Sequence, residues 1–339
     1  VKTLVIQTAF LGDLLLTLPL IRALKLKDSE VHLLCRAGLS ELLQNNQDVD
    51  SVMELDKKGT GDGLSFLPAV RKIGSMSFDK AVIPHRSVRS SLIAFLAGIP
   101  QRIGFFSAPG YVFYTESIEY PPTGHQILRM LLLAHQTGIE ADRFPVLVYP
   151  SKENFQKADN LISNILAGKS RNIVSIAPGS VWATKRWPAS YYSHVARYFL
   201  SDRHFLLILA GSKDDSALCL EISKTLPPAD WAISAGDFSI MDTAALFARS
   251  SFVVANDSAA GHLASAVKTP VLTIFGPTIP AFGFYPVGKN NIIAEKRNLY
   301  CRPCSSHGPM KCPESHFRCM KELTPEEVIE RMKIILDRI

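Results

Sequence analysis

Three junctions, each leading from a short apolar run toward a helix, hold the residues best suited to chemistry. The first, Ala9-Phe10-Leu11-Gly12-Asp13, follows Thr3–Gln7. Gly12 lets backbone or ligand approach closely, and Asp13 falls at the helix start. An Asp in that place is either a cap contributing ~1 kcal/mol or a functional carboxylate. With an unperturbed pKa near ~3.9, it is ionised at neutral pH and able to act as a base. The second junction, Ala177 to Pro188, carries Ser180, Thr184, Lys185 and Arg186. As an anion clamp, Lys185 supplies a point charge for phosphate, Ser180 and Thr184 supply hydroxyl donors, and Trp187 and Pro188 fix the loop. The alternative makes Lys185 and Arg186 solvated charges and Trp187 a core residue. The third junction, Val254 to His262, ends a strand in Asn256-Asp257-Ser258 and opens a helix of small residues. The unpaired amides and positive dipole end of such a helix hold a diphosphate without a metal. No G-x-G-x-x-G occurs at a strand-to-helix turn, which counts against a dinucleotide-dependent dehydrogenase.

Other chemistry is carried by charge and sulfur. The formal net charge of +6 is modest for 339 residues. It suggests an anionic ligand or surface and argues against an extended nucleic-acid footprint. From Lys80 to Thr115 there is no Asp or Glu, while Lys80, Arg86, Arg89 and Arg102 stand there. That is either concentrated positive potential or a solvated basic face. Asp48-Val49-Asp50 is a formal Asp-x-Asp match, but it lies in a polar turn far in sequence from the phosphate loops, so no metal-diphosphate role is expected of it. Cys35 and Cys219 read as small core residues. Cys301, Cys304, Cys312 and Cys319, near His307 and His316, have ligand types compatible with structural zinc. The wide, irregular second pair fits no strong finger pattern, and reduced thiols or a disulfide formed on isolation are the alternatives.

The elements that must position these residues follow from pattern. Thr3–Gln7 lacks polar alternation, as a strand buried on both faces does, and Leu14 to Leu24 continues as a helix. Runs at Val31–Cys35, Val52–Leu55 and Lys80–Pro84 alternate with helical stretches such as Leu39–Asn45 and Ser87–Ala97, which predicts a parallel α/β sheet. The alternation restarts after an amphipathic helix from Ser151. Strands are expected at Asn172–Ala177, Phe205–Ala210, Trp231–Ser234, Phe252–Ala255 and Val271–Phe275. Thr324-Pro325-Glu326-Glu327 opens a terminal helix with a capping box and proline at the first helical position. Length and pattern thus predict two Rossmann-like domains, 1–155 and 156–323, followed by the helix 324–339. With 47% hydrophobic and 20% charged residues the composition is globular. The apolar stretches fall short of the ~20 residues of a bilayer span. The N-terminal run, interrupted by Asp13, does not read as a secretory signal, so a cytoplasmic location is expected.

These pieces, in this order, resemble the ADP-heptose:lipopolysaccharide heptosyltransferases of glycosyltransferase family 9. The motifs are Phe10-Leu11-Gly12-Asp13, Lys185-Arg186-Trp187-Pro188, Gly211-Ser212 with Asp214-Asp215, Asn256-Asp257-Ser258 with His262, and Phe275-Gly276-Pro277-Thr278. The C-terminal cysteine cluster is most similar to the second heptosyltransferase branch. The resemblance implies a GT-B fold, two Rossmann-like domains facing a central cleft, with the terminal helix packing back on the N-terminal domain. By the same resemblance Asp13 is the general base. Ser180, Thr184, Lys185, Asp215, Asp257, Ser258 and His262 serve an ADP-sugar donor, with Asp215 accepting ribose hydroxyls. The acceptor, the lipopolysaccharide inner core, carries carboxylates and phosphates. Its expected counterparts are His85, Arg86, Arg89 and Arg102, with His125 as a family-like position. Ala259 departs from the glycine usual after Asp-Ser, which puts close backbone approach to phosphate in question.

The implied reaction is an inverting transfer of heptose from ADP-heptose with no cofactor and no metal, adding the second heptose, by a protein in peripheral contact with the inner face of the cytoplasmic membrane. A family-9 transferase with another nucleotide sugar or acceptor, or a nucleotide-sugar-binding protein without activity, are the rival readings.

Overall fold

The computed structural model describes residues 1–339 apart from 29, 58, 60–62, 139–142, 167–170, 203 and 337–339. The chain divides into two units, Val1–Tyr149 and Pro150–Ile339. The first is built of β1 (Lys2–Gln7), α1 (Leu11–Lys25), β2 (Glu30–Arg36), β3 (Ser51–Leu55), α2 (Phe66–Ser75), β4 (Lys80–Ile83), α3 (Val88–Leu96), β5 (Gln101–Phe105), β6 (Glu116–Ile118) and α4 (Gln126–Leu131). Its six strands are all parallel, in the order β3-β2-β1-β4-β5-β6. Leu4, Ile6, Leu34, Ile83 and Ile93 are fully buried in its core or nearly so, which is why these strands read as continuous apolar runs with no alternation.

The second unit repeats the plan with α5 (Lys152–Leu166), β7 (Asn172–Ala177), α6 (Ala189–Ser201), β8 (Phe205–Leu209), α7 (Ser216–Ser223), β9 (Trp231–Ile233), α8 (Ile240–Arg249), β10 (Phe252–Asn256), α9 (Ala259–Ala266), β11 (Val271–Phe275), β12 (Ile292–Glu295), α10 (Arg318–Lys321) and α11 (Pro325–Leu336). Its parallel strands run β12-β11-β10-β7-β8-β9. In each sheet the order reverses once, between β1 and β4 and between β7 and β10. In an open α/β sheet that reversal leaves a crevice beyond the carboxyl ends of the two strands, where ligands bind.

Three expectations change. The boundary falls at 149/150, not near 155, because α5 belongs to the second unit. Asn154 Nδ2 donates to Asp242 Oδ1 at 2.8 Å, and Lys157 Nζ pairs with Asp242 Oδ2 at 2.7 Å. The resemblance places the terminal helix on the N-terminal domain, yet its apolar face is buried in the second unit. Val328, Ile329 and Met332 join that core, Arg331 Nη1 donates to Ile293 O, and Lys296 pairs with Glu327. Leu39–Asn45, expected as a helix, forms only a 3-10 turn at Ser40–Leu43.

Candidate functional site

At the carboxyl edge of the first sheet, β1 delivers Thr8 and the loop to α1. Asp13 stands in the first turn of α1, and its Oδ2 accepts the Phe10 backbone N–H at 3.3 Å. The capping role is therefore present, in a half-buried side chain. Around it the sheet edge gathers cations. Arg36, ending β2, lies 5.3 Å from the Phe10 ring centroid, and Arg89 Nη1 donates to Lys57 O at 3.4 Å. Burial, then the neighbouring Arg36 and Arg89 charges, pulls Lys57 below the usual lysine range, while Asp13 opposes that fall. These influences place Asp13, Arg36, Lys57 and Arg89 in one electrostatic neighbourhood. Thr8 Oγ1 lies 3.3 Å from both His85 Nδ1 and Ser90 Oγ, so β1, β4 and α3 are joined by one polar cluster. Burial, reinforced by the Lys57 charge, lowers His85 to about 4, leaving it neutral at pH 7.

The remaining basic positions separate. Exposed Arg86 donates to Ser107 O at 3.0 Å beside the Tyr120 ring and stays at this edge. Arg102 does not join the cluster. It begins β5 at the opposite, amino end of the sheet, where its guanidinium donates to Ile99, Pro100 and Phe113 carbonyls. His125 is 5% exposed and caps α4, Nδ1 accepting the Ile127 N–H at 3.2 Å. The acid-free segment points to Arg102, and the resemblance to His125, as acceptor residues, whereas both hold backbone groups that a turn and a helix end leave unpaired. Asp50 of the Asp-x-Asp match pairs with Lys25 at 2.6 Å and accepts the Val31 N–H, ahead of β3 and away from the carboxyl edge.

At the switch point of the second sheet, Lys185 Nζ pairs with Asp257 Oδ2 at 2.6 Å, the side chains 12% and 8% exposed. Thr278 Oγ1 donates to the same oxygen at 2.6 Å. Lys185 is thus held at the sheet edge and is not a solvated surface charge. Asn256, fully buried, joins the two strands' loops. Its Oδ1 accepts Trp187 N–H at 3.2 Å and Tyr192 O–H at 2.8 Å, and its Nδ2 donates to Pro178 O at 2.7 Å. Trp187 is both things expected of it, a loop anchor and a core residue, 1% exposed with Nε1 on Leu323 O. Ser258 is the N-cap of α9, and its Oγ is buried with no partner among the described residues. His262 is buried one turn into α9. Ala259 opens α9 outside the left-handed region, so its methyl imposes no backbone strain.

Asp215 reaches this edge from the loop after β8. Its Oδ2 accepts both Ser212 N–H and Ser212 O–H, and a Cβ on Gly179 would overlap its carboxylate. Gly179 is therefore required for the two loops to touch. Ser180 gives its carbonyl to Arg186 Nε at 2.8 Å. Thr184 Oγ1, expected on phosphate, instead donates to Pro309 O. That bond belongs to a roof the sequence did not announce. Cys304 N–H donates to Pro277 O at 3.0 Å, the Trp182 and His307 rings lie nearly parallel at 6.5 Å, and a Cβ on Gly308 would meet Lys185 Cγ at 3.3 Å. Gly308 also needs its φ of +83°, which glycine alone adopts freely. The cysteine-rich segment is thus packed on the lysine's methylenes. Beyond Thr278, Arg302 Nη2 donates to the Thr278 carbonyl and to Glu295. Burial favours a raised Glu295 carboxyl, but hydrogen bonds from Arg297 and Arg302 overcome it and hold the group below its usual value. A cavity of about 450 Å³ opens there, lined by Ile279, Ile293, Glu295, Arg297, Leu299 and Arg302 among others.

Among the described residues no three His, Cys, Asp or Glu side chains stand as a metal site, and all six cysteines are free thiols. Cys319 faces the core, where burial and then the nearby Cys304 push its thiol up to about 12. His316 Nδ1 accepts the Arg318 N–H.

The sequence of residues 67–313 matches the profile of glycosyltransferase family 9 (heptosyltransferase). The chain belongs to glycosyltransferase family 9. Its two parallel Rossmann-type units are those of the GT-B fold. Lipooligosaccharide heptosyltransferase 2 of Campylobacter jejuni is 31% identical over 62% of this chain, a match spanning 64% of that relative. Lipopolysaccharide heptosyltransferase 2 of Escherichia coli K12 is 24% identical over 99% of this chain and 98% of its own. The solved structure of Escherichia coli ADP-heptose lps heptosyltransferase II superposes with a TM-score of 0.80 at 22% identity, covering 100% of this chain and 99% of that one.

Proposed function

We propose that this family-9 transferase moves heptose from ADP-L-glycero-D-manno-heptose to the lipopolysaccharide inner core, as the second heptose, with inversion and without a metal. The observation that carries this reading is the Lys185 ammonium fixed by Asp257, whose carboxylate Thr278 holds, beside the amino end of α9. An ammonium has three N–H donors, so pairing with one carboxylate oxygen leaves donors for a diphosphate. The leading amides of α9 supply more. A carboxylate repels a diphosphate, so Asp257 acts through Lys185 and not on the donor directly. Ser258, whose hydroxyl lacks a partner among the described residues, gains one from a phosphate oxygen. As the glycosidic bond to diphosphate lengthens, these groups stabilise the charge developing on ADP, a role worth ~3–4 kcal/mol per donor.

The acceptor belongs with Asp13. Phe10 N–H orients the carboxylate, which takes the proton of the attacking hydroxyl as that oxygen becomes acidic. His85 is neutral and Arg86, Arg89, Arg36 and Lys57 are cationic, a combination suited to carboxylates and phosphates of the core. Of these, Arg36 and Lys57 enter only with the structure. The similarity of the chain to heptosyltransferases 2 over nearly its whole length supports the donor and the position of transfer. The reading includes action at the inner face of the cytoplasmic membrane.

A panel of nucleotide sugars against truncated core acceptors, with mass spectrometry of products and a parallel series in chelator, tests this directly. ADP-heptose is expected to be consumed, with chelator harmless. Transfer of another sugar in its place overturns the donor assignment, ADP binding without any transfer identifies a binding protein, and loss of turnover in chelator overturns the metal-free mechanism.

A further inference from the structure

Six of the exposed apolar side chains of the first unit lie on two adjoining segments. Val88, Phe95, Leu96, Phe106, Tyr111 and Val112 are 42–66% exposed. They come from α3 and from the segment after β5, which are locked together. A Cβ on Gly110 would overlap Ser91 Oγ and fall 3.1 Å from Val88 Cα, so the segment rests directly on α3. The Phe95 and Phe113 rings lie 5.3 Å apart, and those of Phe106 and Tyr111 5.0 Å. A contiguous apolar face of this kind is seldom left to water.

Its charge is one-sided. The stretch from Lys80 through Thr115, which contains the whole face, has no acidic residue. Arg86 and Arg89 stand exposed at the amino end of α3, Arg86 reaching Ser107 beside Phe106, and the Arg102 guanidinium lies 5.5 Å over the Phe95 ring. Aromatic and aliphatic side chains rimmed by guanidinium groups match the boundary between acyl chains and anionic headgroups. Among the described residues no helix is long and apolar enough to cross a membrane, so the contact is with its surface.

We propose that the face formed by α3 and residues 105–113 docks on an anionic lipid bilayer, with Phe106 and Val112 entering the headgroup boundary and Arg86 and Arg89 above it. This deepens the reading of a lipid-linked acceptor, because the Asp13 cluster shares Arg86 and Arg89 with that face, but its test needs no turnover.

Cosedimentation of the full chain with phosphatidylcholine vesicles, with and without phosphatidylglycerol, reads the partition. Binding is expected to the mixed vesicles, weakened by salt and strengthened roughly fivefold by each arginine that the charge term engages. Phe106→Ser combined with Val112→Ser is expected to lose roughly tenfold or more, with thermal unfolding unchanged. Phe106→Trp supplies an independent readout, its indole emission shifting to the blue on mixed vesicles and being quenched by brominated lipid. Equal binding by the double variant, no binding by the parent chain, or unshifted emission from the Phe106→Trp variant overturns the proposal. A lipid-free dimer abolished by the double variant, with no vesicle binding, overturns it in favour of contact between copies. Wild-type vesicle binding in a chain that transfers nothing leaves this face standing and removes the transferase reading alone.

Discussion

Replacing Lys185 by Met removes a charge from a nearly closed site while keeping the methylene stem that packs on Gly308. The ion pair is 2.6 Å long with partners 12% and 8% exposed. At an effective dielectric near 20 its Coulomb attraction is about 6 kcal/mol, offset by several kcal/mol of desolvation for each ion. The intact pair is therefore nearly neutral for stability, whereas one partner left alone is not. Lys185→Met leaves the Asp257 carboxylate with the Thr278 hydroxyl, at a cost of about 3–5 kcal/mol. For a unit of this size that lowers its unfolding midpoint by roughly 10 °C. Adding Asp257→Leu removes the stranded charge, and the double variant should return to within about 1 kcal/mol of the parent, a recovery of ~2–4 kcal/mol over Lys185→Met alone. ADP binding behaves differently. It should weaken roughly a hundredfold in both the single and double variants, since the phosphate partner is missing from each. Calorimetric unfolding and ADP titration separate the two effects. Additive losses in the double variant would refute the pairing, and parental ADP affinity in Lys185→Met would refute the phosphate role.

Asp13→Asn should lower turnover by roughly 10²–10⁴-fold while ADP affinity stays within about twofold; parental turnover, measured under saturating donor, removes the base assignment. His85 is held near 4 by burial and the Lys57 charge, below its unfolded value of ~6.5. The unfolded chain therefore takes up a proton the native one refuses, and stability falls as pH drops from about 6.5 to about 4, by up to about 3 kcal/mol. Urea titrations at both ends of that window should show a shallower fall in His85→Asn, and identical slopes would remove the histidine from the effect. Asn256→Leu strands Trp187 N–H, Tyr192 O–H and the Pro178 carbonyl, a loss of about 3 kcal/mol or more; a change below about 1 kcal/mol in denaturant titration would show that the amide does not join these loops.

The switch-point residues were legible because their signals are local. Asp13, Lys185 and Asp257 each follow a short apolar strand, and a buried parallel strand cannot avoid reading as a continuous apolar run. Short or mixed elements were not legible. β5 carries Gln101, Arg102 and Gly104 within five residues, and β6 is three residues long, so neither shows a period. Arg102 illustrates the limit of charge counting. It belongs to the acid-free segment, yet parallel strand direction puts it at the amino end of the sheet, and nothing in composition distinguishes the two ends. Arg36 and Lys57 failed for the converse reason, since they reach Asp13's neighbourhood from strands that precede and follow other elements.

Sequence alone determined the class of fold, the order of the two βα repeats and the chemical types at each junction, because these depend on residue patterns only a few positions long. Tertiary structure decided which of those residues meet. Lys185 acquired its carboxylate partner from Asp257, and Asp257 its hydroxyl donor from Thr278, both distant in the chain from Lys185. The cysteine-rich segment became the lysine's packing surface, and the terminal helix found its core in the second unit. Such pairings are set by strand order and by closure of long loops, which no local pattern encodes.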